Sequence, residues 1–171
     1  MFLRDITRRG FKLGMALSVA LALGACARSD KDGAGAGGTG FGAGGAAVPG
    51  SPQDFVVNVG DRVFFDSDSS ELNSTAVATL EKQSQWLARY GQYSFTVEGH
   101  ADERGTREYN FALGARRAES VKNYLSAKGV SASRIRTISY GKERPVAVCD
   151  NISCWSQNRR AVTALGGGQG S

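Results

Sequence analysis

Residues 33–50 read GAGAGGTGFGAGGAAVPG, nine glycines and five alanines in eighteen positions. Such a run has almost no side chain to bury and the most backbone entropy to lose on ordering, so it predicts a flexible tether. It splits the 171-residue chain and leaves residues 55–165 as the stretch of globular composition. That is room for one ordinary domain. The tether is expected over 26–54, and its roughly 28 residues give a root-mean-square span of about 30 Å. The glycine-rich end, 166–171, is expected to be a disordered tail.

Ahead of the tether, a basic stretch, MFLRDITRRGFK, precedes a short apolar run, LGMALSVALALGA, that ends at Cys26. The run is too short to cross a bilayer comfortably and has the charge placement of a signal peptide over 1–25. Leu23-Gly24-Ala25-Cys26 resembles a bacterial lipobox, in which the cysteine thiol takes the lipid. Several acyl chains together give stable membrane attachment. Ala27, where Asp would favour retention in the inner membrane, directs the expectation to the outer membrane, with the domain facing the periplasm. The leader also explains the charge. The formal charge is +5, the leader carries Arg4, Arg8, Arg9 and Lys12 against Asp5, and +2 remains after its removal. Nucleic-acid binding thereby loses its compositional support. One histidine and three cysteines make a multi-ligand metal site a poor expectation.

The globular part alternates strand-like and helix-like segments. Phe55-Val56-Val57-Asn58-Val59 and Arg62-Val63-Phe64-Phe65, around Gly60-Asp61, read as strands about a turn. A helix should start at the N-cap candidate Asn73 and end near Tyr90-Gly91. Residues 93–97 alternate as a strand running on to His100. A second helix is expected over about 109–128, stopped by Gly129. Residues 135–140 and 160–165 read as the last strands. The order β-α-β-α-β-β predicts an α/β (α+β) domain, a small mixed sheet covered by two main helices.

The second helix contains one residue out of place. At 100° per residue from Leu113, the apolar arc centres at about 80°, Arg116 falls at about 300°, and Arg117 at about 40°, inside the arc. A guanidinium there cannot shed its charge and is costly to bury unpaired. It calls for a carboxylate, or for the edge of a pocket that supplies one, unless it snorkels from the rim or forms a structural ion pair. The nearest candidate is Asp102, in the loop Gly99-His100-Ala101-Asp102-Glu103-Arg104-Gly105 between strand and helix. His100 reads as a satisfied structural histidine rather than a catalytic one, because no nucleophile accompanies it. Asp66-Ser67-Asp68-Ser69-Ser70-Glu71 lacks the glycine and terminal glutamate of an EF-hand loop and reads as a turn.

Glu98-Gly99-His100-Ala101-Asp102-Glu103-Arg104-Gly105-Thr106, then Tyr109-Asn110, Ala112-Leu113-Gly114, Arg116-Arg117-Ala118 and Val121, resembles the signature of OmpA-like peptidoglycan-binding domains. Ser139-Tyr140-Gly141 and Asn158-Arg159-Arg160-Ala161-Val162 match its later segments. The resemblance covers about a hundred residues, from Arg62 to Thr163, with the motifs in order. It implies non-covalent binding of the peptidoglycan stem peptide at meso-diaminopimelate, with no chemistry and no cofactor. Asp102 would take the ammonium and Arg117 the carboxylate, charge-assisted contacts of the strong kind. Asp68, with Ser67 beside it, would line the pocket, and Asn110 and Leu113 would shape it. Ala101 stands where many members have Thr, and Ser67 where relatives often have an aromatic. The resemblance further implies an outer-membrane lipoprotein of the Tol system, with the periplasmic propeller TolB as partner.

A rival reading is an envelope hydrolase using Asp66, Asp68, Asp102 and Glu103, although nothing fixes a pair of them at a glycosidase separation. A second rival is a surface lipoprotein without wall contact. With Cys26 acylated, Cys149 and Cys154 remain as an even pair around the turn-forming Asp150-Asn151. In the oxidising periplasm a disulfide is expected, and two thiolates with one distant histidine do not complete a zinc site. The bridge is expected to stiffen the connection between the last two strands rather than to build the pocket.

Overall fold

A computed structural model of the chain describes residues 47–166. The expected signal peptide, Cys26, the expected tether up to residue 46 and all of the expected tail 166–171 but its first residue lie outside the described residues.

Four strands form one mixed sheet: β1 Arg62–Phe64, β2 Phe95–His100, β3 Ile135–Gly141 and β4 Arg160–Leu165. Their spatial order is β1-β4-β2-β3. β2 and β3 run parallel, while β4 is antiparallel to both β1 and β2. Two long helices pack against the sheet, α2 Ser74–Arg89 on β1 and α3 Arg107–Ala127 on β2 and β3. The architecture is the α/β one expected.

Local chemistry sets the helix ends. Asn73 caps α2 by accepting from the Ala76 N–H at 2.9 Å, and Thr106 caps α3 by accepting from Tyr109 at 3.2 Å. After Lys128, Gly129 takes a φ of +93°, and the Val130 N–H returns to the Leu125 carbonyl at 3.0 Å, closing the helix end. The core lies between sheet and helices, with Val63, Phe95, Val97 and Ala161 facing Leu80, Leu87, Val121 and Leu125.

Three expectations are corrected. Phe55–Val59 is not a strand. Ser51 caps a short helix, α1 Pro52–Asp54, that runs on into a π-helical turn over Phe55–Val59. Pro at the first helical position and the Ser51 cap favour the helix, and of the five residues only Phe55 is buried, 4.9 Å ring to ring from Trp86. The domain also begins before Phe55. Asp54 accepts from the Gly50 N–H at 2.8 Å and the Trp86 indole at 2.9 Å, and Tyr93 donates to the Gly50 carbonyl at 2.8 Å. Residues 50–54, assigned above to the tether, therefore belong to the fold. Third, the segment between the cysteines leads into a helix, α4 Ile152–Asn158, capped by Asn151 accepting from the Ser153 N–H. Asn151 is N-cap material, a role that the turn reading overlooked.

One contact places α3 where the site needs it. A Cβ on Gly99 of β2 would lie 1.8 Å from the Gly114 carbonyl oxygen, and a Cβ on Gly114 would lie 2.4 Å from the Ser139 hydroxyl. Only two glycines let helix and strand backbones approach this closely. The Ser139 hydroxyl then donates to the Phe111 carbonyl at 2.7 Å, tying α3 to β3.

Candidate functional site

At the C-terminal end of β2 a cavity of about 260 Å³ is lined by Ser67, Asp68, Asp102, Arg104, Gly105, Tyr109, Asn110, Leu113 and Arg117. All six candidate pocket residues from the sequence line it. They come from three segments: the β1–α2 loop, the β2–α3 loop and the inner face of α3.

Arg117 is completely buried, whereas Arg116 is exposed, as the helical phase required. Its bonding differs from the expectation. Among the described residues no carboxylate pairs with it. Nε donates to the Ser69 carbonyl at 2.8 Å, Nη1 to His100 at 2.8 Å and Nη2 to Asp66 at 3.1 Å. The guanidinium carbon lies 5.1 Å from the Phe65 ring centroid. The helical projection located the buried cation but could not foresee carbonyl oxygens from a loop 50 residues away. Three of the five guanidinium donors are thus committed and two remain. Burial pulls the Arg117 pKa down to about 10, against the attraction of Asp102, so the group stays charged at neutral pH.

Asp102 pairs with other arginines. Its Oδ2 accepts from Arg104 Nη2 at 2.6 Å and from Arg159 Nη1 at 3.4 Å. Burial alone would raise this carboxyl, but the hydrogen bonds and charge of Arg104, with Arg159, outweigh it and hold the pKa below the ordinary value. Arg159, itself buried, also donates to the Phe65 carbonyl at 3.1 Å, joining the start of β4 to the end of β1 beneath the site.

The β1–α2 loop is a turn, with Glu71 N–H on the Ser69 hydroxyl at 3.0 Å. Asp68 adopts a φ of +57°, a left-handed conformation that Asp tolerates better than most residues. It accepts a hydrogen bond from the Tyr109 hydroxyl. Asn110 donates to the Arg104 carbonyl at 2.6 Å and so fixes the β2–α3 loop from within the helix.

His100 is buried, but among the described residues neither ring nitrogen has a hydrogen-bond partner, Glu98 Oε2 lying 3.8 Å from Nε2, which corrects the expectation of a satisfied histidine. Desolvation, then the charges of Arg160 and Arg144, lower its pKa to about 4, so it is neutral at physiological pH.

Cys149 and Cys154 are disulfide-bonded, with Cα atoms 5.7 Å apart. The loop reaches further than a simple brace. Trp155, next to Cys154, donates to Glu103 at 2.9 Å, and its ring lies under the Arg104 guanidinium, 4.4 Å from carbon to centroid.

Sequence reasoning did not assign Arg104, Tyr109 or Arg159. Arg104 and Tyr109 stand inside the very motif that carries Asp102 and Asn110. Their side chains meet Asp102 and Asp68 through folded loops that no periodicity describes. Among the described residues no cluster of His, Cys, Asp and Glu is arranged to hold a metal, and no helix is long and apolar enough to cross a membrane.

The site's motifs and the sheet order define a family. The sequence model of the OmpA family matches residues 64–159. The chain belongs to the OmpA family, on its peptidoglycan-associated lipoprotein branch. It is 70% identical over 123 residues to the peptidoglycan-associated lipoprotein of Rhizobium meliloti (strain 1021), covering 72% of this chain and 70% of the relative. The crystal structure of the peptidoglycan-associated lipoprotein from Burkholderia pseudomallei superposes with a TM-score of 0.64 at 37% identity, covering 68% of this chain and all of that one. The C-terminal domain of Helicobacter pylori MotB, at 22% identity and a TM-score of 0.58, shares the fold.

Proposed function

We propose that this chain is an outer-membrane lipoprotein that binds peptidoglycan without chemistry, through the meso-diaminopimelate of the stem peptide. The observation that carries the reading is one small cavity with an ionised carboxylate, Asp102, on one side and a buried guanidinium with two uncommitted donors, Arg117, on another. The distal carbon of diaminopimelate bears an ammonium and a carboxylate. Asp102 takes the first and Arg117 the second, in a water-poor site where charge-assisted hydrogen bonds are strong. Asp68, Ser67, Asn110 and Leu113 complete the walls.

The names of the relatives agree with wall association and lipidation. Acylation at Cys26 anchors the chain in the outer membrane, and the glycine-rich tether lets the domain reach the wall. In this reading the protein serves the Tol–Pal system, with TolB as periplasmic partner, in envelope integrity and in constriction of the outer membrane at division.

The domain is a binding module, not an enzyme. The relatives it matches are named for association with peptidoglycan, not for cleaving it. A sacculus pull-down tests the proposal. Asp102→Ala should weaken wall binding by about 2–5 kcal/mol, the usual loss when one partner of a desolvated charge pair is removed. Wild-type retention by that variant, shown to be folded, or release of soluble fragments from the sacculi by the wild-type protein, would overturn it.

A further inference from the structure

Arg104 lies across the mouth of the cavity. Its Nη2 donates to Asp102 Oδ2 at 2.6 Å and to Ser67 Oγ at 2.8 Å, and its Nε to Asp102 Oδ1 at 3.2 Å. It thereby links the two loops that flank the cleft. The carboxylate meant for a ligand's ammonium already holds a cation of the protein's own. An arriving ammonium has to displace it.

The neighbourhood determines where Arg104 can go. Arg104 is nearly half exposed, whereas Arg159 is held by the Phe65 carbonyl and is buried, so Arg104 is the partner free to leave. Its other acidic neighbours each already accept a hydrogen bond, Glu103 from the Trp155 indole and Asp68 from the Tyr109 hydroxyl. The cavity is lined by two guanidiniums, Arg104 and Arg117, and two carboxylates, Asp68 and Asp102. A ligand end with its ammonium on Asp102 and its carboxylate on Arg117 leaves Arg104 without its anion. A ligand with a second carboxylate nearby supplies one.

The Trp155 ring supplies a pivot, since a guanidinium can slide on an aromatic face while keeping the cation–π contact. The ring is fixed by its bond to Glu103 and by the Cys149–Cys154 bridge at the adjacent residue. The geometry points to Arg104 as a two-position arm. It closes Asp102 in the free domain. When the ligand's ammonium takes Asp102, the arm turns on the Trp155 ring to a second carboxylate of the ligand. The chain thereby selects peptides with an acidic residue beside the diamino acid, and Trp155 with its disulfide positions the arm. This inference rests on the diaminopimelate reading above.

The test uses the full-length chain and two synthetic stem peptides. Both contain meso-diaminopimelate, and the α-carboxyl of the preceding glutamate is free in one and amidated in the other. Calorimetry gives the ratio of the two affinities for each variant, which cancels any general loss of active protein. The wild type should prefer the free acid by about tenfold or more, the worth of one charge-assisted hydrogen bond. Arg104→Ala should bring the ratio to within about twofold, while the amidated peptide binds at least as well as to wild type because its competitor at Asp102 is gone. Trp155→Ala should reduce the ratio, Trp155→Phe should restore most of it, and Cys149→Ser with Cys154→Ser should lower it in part. A wild-type ratio near one, or an unchanged ratio in Arg104→Ala, overturns the arm and leaves the diaminopimelate reading standing. Binding of both peptides that survives Asp102→Ala sinks the reading itself.

Discussion

Arg134 and Arg117 each donate from all three nitrogens to three backbone carbonyls, at opposite ends of β2. Arg134 serves Leu87, Tyr90 and Tyr93, the last turn of α2 and the chain leading into the strand. The first two are orphan acceptors of a helix C-terminus, where a cation is favourable on both hydrogen-bond and dipole grounds. Arg117 serves Asp66 and Ser69 in an irregular loop and His100 at the end of the strand. The grip is the same, but the surroundings differ. Arg134 is half-buried at a rim that water reaches, while Arg117 is wholly buried and lines the cavity with Asp102. A three-carbonyl clamp is thus a helix cap at one end of the sheet. At the other it shapes a loop and holds a cation ready for a ligand.

Removing each arginine separates the two roles. Arg117→Ala leaves three carbonyls under-satisfied at a fully buried position and should cost about 3–5 kcal/mol of stability, measured by urea unfolding. It should also abolish peptidoglycan binding under conditions where the variant remains folded. Arg134→Ala should cost about 1–2 kcal/mol, because water can replace the donor, and should leave wall binding unchanged. If the two variants lose equal stability, or if Arg134→Ala also loses binding, the distinction between clamp and cap fails.

The pocket end should also be the acid-sensitive end. His100 sits in the strand beneath Arg117 with its pKa lowered to about 4 by burial. An unfolded chain protonates it near 6.5, so between about pH 6.5 and 4 the unfolded state binds the extra proton. Stability should therefore fall by about 1.4 kcal/mol per pH unit as the pH drops through this window, and by roughly 3 kcal/mol in all. This is the chain's single histidine, and most of the window lies above the range where the lowered carboxyls Asp54, Glu81 and Asp102 titrate. Chemical denaturation at successive pH values should show the slope in the wild type and lose it in His100→Leu. An equal slope in both proteins would remove His100 as its source.

What the sequence revealed follows from what determines each feature. Helices α2 and α3 were legible because caps and 3.6-residue periodicity are local, and the buried position of Arg117 followed from the same periodicity. The π-helical turn at Phe55–Val59 was not legible. Its composition is that of a strand, and the decision came from the Ser51-Pro52 start and from burying Phe55 on Trp86, which is 31 positions away. The carbonyl partners of Arg117 were hidden for the same reason, since Ser69 and Asp66 are 48 and 51 positions away. Arg104 was visible as a residue and invisible as an arm. Its role depends on Ser67 and on Trp155 of α4, elements joined to its loop only by the fold.

The smallest expected effect provides the sharpest check on the Arg117 seat. Arg116 is the preceding residue on α3, with the same charge and side chain, but it projects from the opposite face and is exposed. Among the described residues it forms neither a salt bridge nor a side-chain hydrogen bond. Exposed substitutions of this kind usually change stability by less than about 0.5 kcal/mol. Arg116→Ala should therefore unfold at nearly the wild-type urea midpoint and retain sacculus binding within about twofold, since only a long-range and salt-screened charge is removed. The comparison with Arg117→Ala holds residue type and helix constant and varies only the face. A matching loss of binding in Arg116→Ala, reversed by raising the salt in neither variant, would mean that the helix is turned in solution and that the buried seat assigned to Arg117 is wrong.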